Sequence, residues 1–268
     1  MYYYKIAELT LQSFCRLTTF ESFSCDPSEA DVIFERSDKQ PPQGKELISG
    51  TIVHRRLENG WFFQTIYSND SGIYSNKDYT RLQLLEERNP VQTVMIERII
   101  RVALECFLVR RGYVSLHAAA VEVQGKAYAF TGPSGIGKSS RADAWRHALG
   151  ASLISGDRPL ICVRDQMLYG VPWDGKEQCF RNVCYPLETI FEVKRSETVS
   201  ALQMDFTQRR VLLMSQCFIP MWDTDTALIQ MKNIMNLAEK VNIVSAFCGV
   251  SMNDARELYN LSRKDNQH

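Results

Sequence analysis

The stretch Ala127–Ser139 reads Ala-Tyr-Ala-Phe-Thr-Gly-Pro-Ser-Gly-Ile-Gly-Lys-Ser. From Gly132 onward it meets GxxxxGK[ST] at every fixed position, after an apolar run of strand character and before the helical pattern SSRADAWRHAL. On average composition, four such positions coincide by chance in about one chain in a hundred of this length. Gly132, Gly135 and Gly137 permit backbone angles that turn successive N–H groups inward. They make a nest at a helix N-terminus, where hydrogen bonds and the helix dipole hold a polyphosphate. The expected cradle is Gly132, Pro133, Ser134, Gly135, Ile136, Gly137, Lys138, Ser139 and Ser140. In it Lys138 would reach the β and γ phosphates and Ser139 would ligate Mg2+.

Working outward, AAAVEV and AYAFTG surround Gln124-Gly125-Lys126 and read as two antiparallel strands joined by a tight turn. Just ahead of them, His117 in SLHAAA is placed to lie beside the phosphates. Downstream, a helix from Ser139 to Leu149 closes at Gly150, and a short strand, Ser152 to Ser155, leads to Asp157. Asp157 falls about 20 residues after the loop, where the chemistry of a bound nucleotide needs a carboxylate near the metal. No NKxD box follows the loop, and Asn76-Lys77-Asp78 precedes it, so a guanine-specific reading lacks its base-recognising element. LICV and MLYGV around Asp165-Gln166 form a further hairpin, so the sheet is mixed and not doubly wound.

Upstream of Pro90 the pattern has period 2, with Leu9 and Leu11 alternating with Thr10 and Gln12. TIVHRRLE and WFFQTI flank Asn59-Gly60, the pair suited to a type I′ turn. Beyond Pro90, Met95, Ile99, Val102, Ala103, Cys106 and Phe107 recur at helical spacing up to Arg110-Arg111-Gly112. The division expected is a β-rich N-terminal domain, residues 1–90, and a nucleotide-binding domain, residues 91–268. In the last third, helices over 206–217 and 226–240, a strand over 241–247 and a final helix opened by Ser251-Met-Asn-Asp254 are predicted.

With 31 Lys+Arg against 31 Asp+Glu, 45% hydrophobic and 23% charged residues, the 268-residue chain is a folded protein without a basic footprint. Neither a nucleic-acid nor a membrane partner is expected. No signal-peptide pattern and no apolar run of about 18 residues appears, so the expected location is cytoplasmic. In that compartment the eight cysteines read as buried thiols, and Cys179 and Cys184 at CxxxxC spacing make a poor zinc site.

LHAAAVEVQGKAYAFTGPSGIGKSS followed by LISGDRPLI resembles the HPr kinase/phosphorylase family. It is most similar to the shorter HPr-kinase-like proteins of ribosomal-peptide clusters, including lasso-peptide kinases. The resemblance runs from about Ser115 to Asp174, and more loosely through PLETIFEVKR to the last helix. It implies an α/β P-loop core with a mixed sheet, related to phosphoenolpyruvate carboxykinase, and transfer of the γ-phosphoryl group of ATP to a serine hydroxyl. His117 matches the family histidine near the phosphates, Lys138 and Ser139 match the P-loop pair, and Asp157 matches the second of two adjacent acids. The first of that pair is Gly156 here. The parent family also implies a homo-oligomer.

On this reading Asp157, His117 and Lys138 are the catalytic residues, with Ser139 and Asp157 on the metal. The segment Tyr169 to Lys176, with Trp173, Asp174 and Lys176, matches a Pro-Trp stretch of the shorter relatives and is expected to line the acceptor side. The acceptor would be a peptide or small protein, such as a ribosomally made precursor. A non-catalytic nucleotide-binding accessory protein and a kinase of a small metabolite such as free serine stand as alternatives.

Overall fold

The computed structural model describes residues 1–39, 46–49, 52–65, 72–85, 93–173 and 178–264. The chain divides into one unit formed by Met1–Arg111 with Pro220–Leu228 and a second formed by Gly112–Ile219 with Ile229–His268. The sequence places the division near Pro90; in the structure it falls after Arg111, because the helix that follows Pro90 packs on strands of the first sheet.

In the first unit the strands are β1 (Tyr2–Ile6), β2 (Leu9–Ser13), β3 (Val32–Ser37), β4 (Glu46–Ser49), β5 (Ile52–Leu57), β6 (Gly60–Thr65), β7 (Gly72–Asn76) and β8 (Arg81–Leu85). They lie in the order β1-β2-β3-β8-β7-β6-β5-β4, with β3 parallel to β2 and β8 and the other pairs antiparallel. The period-2 pattern does what it should: Tyr4 and Ile6 are buried while Lys5 between them is exposed. Helix α1 (Thr93–Arg110) packs against β6 and β7, and its Ile99, Ala103, Cys106 and Phe107 are buried.

The β5-β6 hairpin corrects the turn expected from Asn59-Gly60. Leu57 pairs with Gly60, so the central residues are Glu58 and Asn59, and of these three only Gly60 has positive φ, 156°. The glycine is needed as the first residue of β6, where a Cβ would sit 2.0 Å from the Ser75 carbonyl oxygen.

The second unit contains β9 (Tyr113–Ser115), β10 (Ala118–Val123), β11 (Lys126–Thr131), α2 (Lys138–Leu149), β12 (Ser152–Ser155), β13 (Leu160–Cys162), β14 (Met167–Tyr169), β15 (Cys184–Arg195), β16 (Ser200–Gln203), α3 (Phe206–Gln216), α4 (Thr224–Lys240, here from Ile229), β17 (Ile243–Cys248) and α5 (Met252–Lys264). Its sheet runs β12-β10-β11-β15 and then forks along the twelve residues of β15. The first part of β15 pairs with β14, which leads to β13 and β9; the second part pairs with β17, which leads to β16. β15 is parallel to β11 and β17, and the other neighbours are antiparallel. The protein is therefore mixed α/β, with two mixed sheets and, among the described residues, five α-helices.

Alternation divides this second sheet between two cores. Ala118, Ala120, Ala127, Ala129 and Ile190 face α3 and α4 through Leu213, Ile234 and Leu237. Ala119, Val121, Tyr128, Phe130 and Phe191 face α2 and α5 through Trp145, Leu258 and Tyr259. The small alanines let α3 and α4 approach one face, and the aromatics fill the other. Trp145 makes ring contacts at 5.0 Å with Tyr128, 5.2 Å with Phe130, 5.7 Å with Phe191 and 5.6 Å with Tyr259, which fixes α2 on β11. The loop between β11 and α2 thus has both ends held.

Helix starts follow their caps. Asp205 and Gln208 form a reciprocal capping box on α3, and Ser251 and Asp254 exchange the equivalent two bonds at 3.0 and 3.1 Å on α5. The cysteines depart from the expectation of burial: Cys106, Cys162 and Cys248 are buried, Cys15, Cys25, Cys179 and Cys217 are half-buried, and Cys184 is exposed at the start of β15. Among the described residues no helix is long and apolar enough to cross a membrane.

Candidate functional site

The turn between β10 and β11 has the left-handed central pair of a type I′ turn. Gln124 (φ 51°) and Gly125 (φ 77°) are its central pair between partnered Val123 and Lys126, and the Gly125 amide donates to Glu122 Oε1 at 2.8 Å. This tight reversal sends β11 between β10 and β15 and out at Thr131 into residues 132–137. The loop glycines all take positive φ, 142° at Gly132, 77° at Gly135 and 100° at Gly137. Gly137 is the position with least latitude. It is the left-handed N-cap of α2, and a Cβ there would lie 2.8 Å from Arg141 Nη1. α2 starts without a side-chain cap and without an acid in its first turn, so no side chain of that turn offsets the positive end of its dipole.

Two arginines hold the loop. Buried Arg141 donates from Nη1 to the carbonyls of Ile136 (3.1 Å) and Gly137 (3.2 Å), and from Nε and Nη2 to Cys248 at the end of β17. Arg195 Nη2 donates to the Gly135 carbonyl at 2.9 Å. Lys138 curls over the loop, with Nζ 3.0 Å from the Gly132 carbonyl and 3.3 Å from that of Pro133. Pro133, Ser134 and Gly135 are exposed at the rim, as is Ser140, while Ile136 to Ser139 are half-buried.

Asp157 follows β12, in a turn closed by Ser155 Oγ donating to the Asp157 carbonyl at 2.9 Å. His117 lies between β9 and β10. Its amide donates to Gln216 O at 2.9 Å, and its carbonyl accepts from Thr131 Oγ1 at 2.9 Å, immediately before the loop. These constraints bring His117 Nε2 to 3.9 Å from Asp157 Oδ1, a separation too long for a hydrogen bond. Asp157 Oδ1 is shut off from solvent and has no hydrogen-bond partner among the described residues. A buried carboxylate oxygen without a donor is costly, and a hydrogen-bond donor or a cation beside it would satisfy it.

Burial pushes His117 below its ordinary value, Lys138 pushes it the same way, Asp157 opposes and Arg158 adds to the lowering. At neutral pH the imidazole is therefore uncharged. Burial also lowers Lys138, with Asp157 opposing and Arg158 adding to the effect. His117, Lys138, Asp157 and Arg158 thus form one electrostatic group, in which a single carboxylate faces two fixed cations.

Of the residues singled out in the sequence, the structure brings together His117, Lys138 and Asp157. Ser139 stands in the first turn of α2, next to Lys138 in sequence. Trp173 is buried, with Nε1 3.3 Å from the Arg158 carbonyl oxygen, so it braces the segment after Asp157 from within. Asp174 and Lys176 lie outside the described residues. Arg158 itself is the residue that sequence reading passes over. Its one local signal is its place beside Asp157, and its left-handed φ of 52° appears only in the fold.

Among the described residues no three His, Cys, Asp or Glu side chains gather as a metal site. The side-chain oxygens at hand, Ser139 Oγ and the Asp157 carboxylate with its orphaned oxygen, fit Mg2+, which takes one or two protein ligands and completes its shell with water and phosphate oxygens. No family model and no curated protein matches the chain.

Proposed function

We propose that the second unit is a P-loop core of HPr kinase/phosphoenolpyruvate carboxykinase type. On this reading the protein is an ATP-dependent kinase that transfers the γ-phosphoryl group to a serine hydroxyl of a peptide or small protein. The observation that carries this is the unpartnered Asp157 Oδ1, 3.9 Å from His117 Nε2 and within reach of the Lys138 charge. A nest of amides that only binds polyphosphate has no use for a buried carboxylate at its edge. One that transfers a phosphoryl group to an alcohol has two: to accept the hydroxyl proton and to share in holding a metal.

In this reaction the acceptor oxygen bonds to the γ-phosphorus as the bond to the β,γ-bridging oxygen breaks, and ADP leaves. The acceptor proton passes to Asp157. Because the transition state is loose, positioning and charge neutralisation do most of the work, and the loop amides, α2 and Lys138 supply them. Neutral His117 orients the carboxyl or the incoming hydroxyl without cancelling the acid's charge. Ser139 and Asp157 would hold Mg2+, which would supply charge neutralisation to the transfer.

The test is Mg-ATP calorimetry followed by transfer of labelled phosphate to a panel of serine peptides, small proteins and free serine. Asp157→Asn is expected to bind ATP and to lose transfer by about a hundredfold or more. Transfer at the parental rate would overturn the role given to Asp157. Gly156, where a second acid would stand, favours a second reading, a nucleotide-binding accessory protein that presents a precursor peptide. That protein would bind ATP and yield no phosphorylated product with any acceptor in the panel.

A further inference from the structure

The geometry points to Arg158 as a second phosphate-holding cation, which grips a terminal phosphate oxygen of the nucleotide across the site from Lys138. This rests on the reading of residues 132–139 as an ATP site.

Three independent observations support it. First, the backbone at Arg158 is left-handed, with φ 52°, a conformation that costs a residue bearing a Cβ about 1–2 kcal/mol. The fold maintains it from both sides. Trp173 Nε1 donates to the Arg158 carbonyl, and the carbonyl of the next residue, Pro159, accepts from the Leu116 amide at 3.2 Å. Strain braced this way re-aims a side chain.

Second, Arg158 Nη1 is shut off from solvent and has no acceptor among the described residues. A charged donor in that state is among the costliest groups a fold can carry, and an anion in the adjoining pocket satisfies it. Third, Arg158 directly follows Asp157, whose Oδ1 lies 3.9 Å from His117 Nε2, and the His117 carbonyl accepts from Thr131 Oγ1 at the start of the 132–137 loop, which sets Arg158 at the edge of that loop. Arg158 and Lys138 against the one carboxylate of Asp157 give these groups an excess of positive charge. The terminal phosphate of ATP is the anion that matches it, and the planar fork of arginine fits two phosphate oxygens at once. In the transfer described above, Arg158 and Lys138 keep their protons and neutralise the equatorial oxygens as the phosphoryl group passes.

The experiment compares Mg-ATP with Mg-ADP affinity by calorimetry in the parent, Arg158→Asn and Arg158→Lys. Asparagine tolerates the left-handed backbone, so the first change removes charge without adding strain. Arg158→Asn should lower ATP affinity about tenfold or more, the loss of one charged hydrogen-bonded contact, while ADP affinity stays within about twofold. Arg158→Lys, which keeps the charge and loses the fork, should fall between. A parental ATP-to-ADP ratio in Arg158→Asn overturns the proposal; if that variant does not fold, a parental ratio in Arg158→Lys does so. A parent that binds neither nucleotide overturns the ATP-site reading itself. A parent that binds ATP but transfers no phosphate overturns the kinase reading, and the ATP-to-ADP ratio still decides the role of Arg158.

Discussion

Arg141 is where the fold of the second unit and the shape of the 132–137 loop are one problem. Its side chain is buried at 3% exposure and carries a charge with no acidic partner among its bonds. What it has is a set of carbonyls: Ile136 and Gly137 in the loop, and Cys248 at the end of β17. Replacing it with leucine keeps the apolar stem and removes every one of those donors. The Gly137 carbonyl keeps a partner, since it also accepts the Arg141 amide at 3.1 Å, but Ile136 and Cys248 each lose a charged donor. Hydrogen bonds to charged groups contribute about 1.5–3 kcal/mol each, and removing a desolvated guanidinium returns part of that, so a net loss of about 2–4 kcal/mol is expected. Urea unfolding should be followed by fluorescence in a Trp61→Phe/Trp222→Phe background, leaving Trp145 and Trp173 to report on the second unit. Mg-ATP affinity should fall as well, because the carbonyls that Arg141 holds back are those whose rotation would close the nest. A stability change below about 0.5 kcal/mol, the range of an ordinary surface substitution, would refute the reasoning.

Two other perturbations test the frame around the site. His54 is buried in the first unit, stacked on Trp222 at 3.9 Å, with neither ring nitrogen partnered among the described residues, and burial pushes its pKa from 6.5 down to about 4. As pH falls below 6.5 the unfolded chain takes up a proton that the folded one refuses, so stability is present above 6.5 and is lost progressively down to about 4. The full loss is about 3 kcal/mol, His54→Phe should flatten the profile of the first unit in that window, and a flat parental profile would sink the idea. Gly125 occupies a left-handed turn position with φ 77° and open space around it, so Gly125→Ala should destabilise the second unit by about 1 kcal/mol in thermal or urea unfolding, and an unchanged stability would argue against the turn assigned here.

The legible parts of this protein are those whose causes are local. The glycine-rich loop at 132–137, the caps of α2 and α5, and the β10-β11 and β13-β14 hairpins each rest on a few consecutive residues whose backbone demands can be read in place. Where the cause is a contact across the fold, local reading fails. Asn59-Gly60 marks a hairpin, but Gly60 is required by its approach to Ser75 on the neighbouring strand, and this shifts the turn by one residue. β16 is four residues on the sheet edge, too short for any periodicity, and its pairing with β17 is what makes it a strand. Residues 93–110 read as a helix, yet only its packing on β6 and β7 shows to which unit it belongs.

The same division runs through the site. His117, Lys138 and Asp157 can be named from spacing, because a phosphate loop, the strand before it and the strand after its helix have a set order along the chain. Arg158 cannot, because nothing in Gly-Asp-Arg-Pro says that the chain turns left-handed there or that Trp173 closes behind it. The pair of observations also bears on Gly156. A second acid at that position would add negative charge beside the phosphates, which is tolerable where metal absorbs it. With glycine there, and one residue beyond Asp157 a guanidinium whose Nη1 has no acceptor among the described residues, the local balance moves toward cations. A site with one acid and two fixed positive charges can neutralise a terminal phosphate through protein groups to a greater extent than a site with two acids, and so depends less on metal for that part of the work.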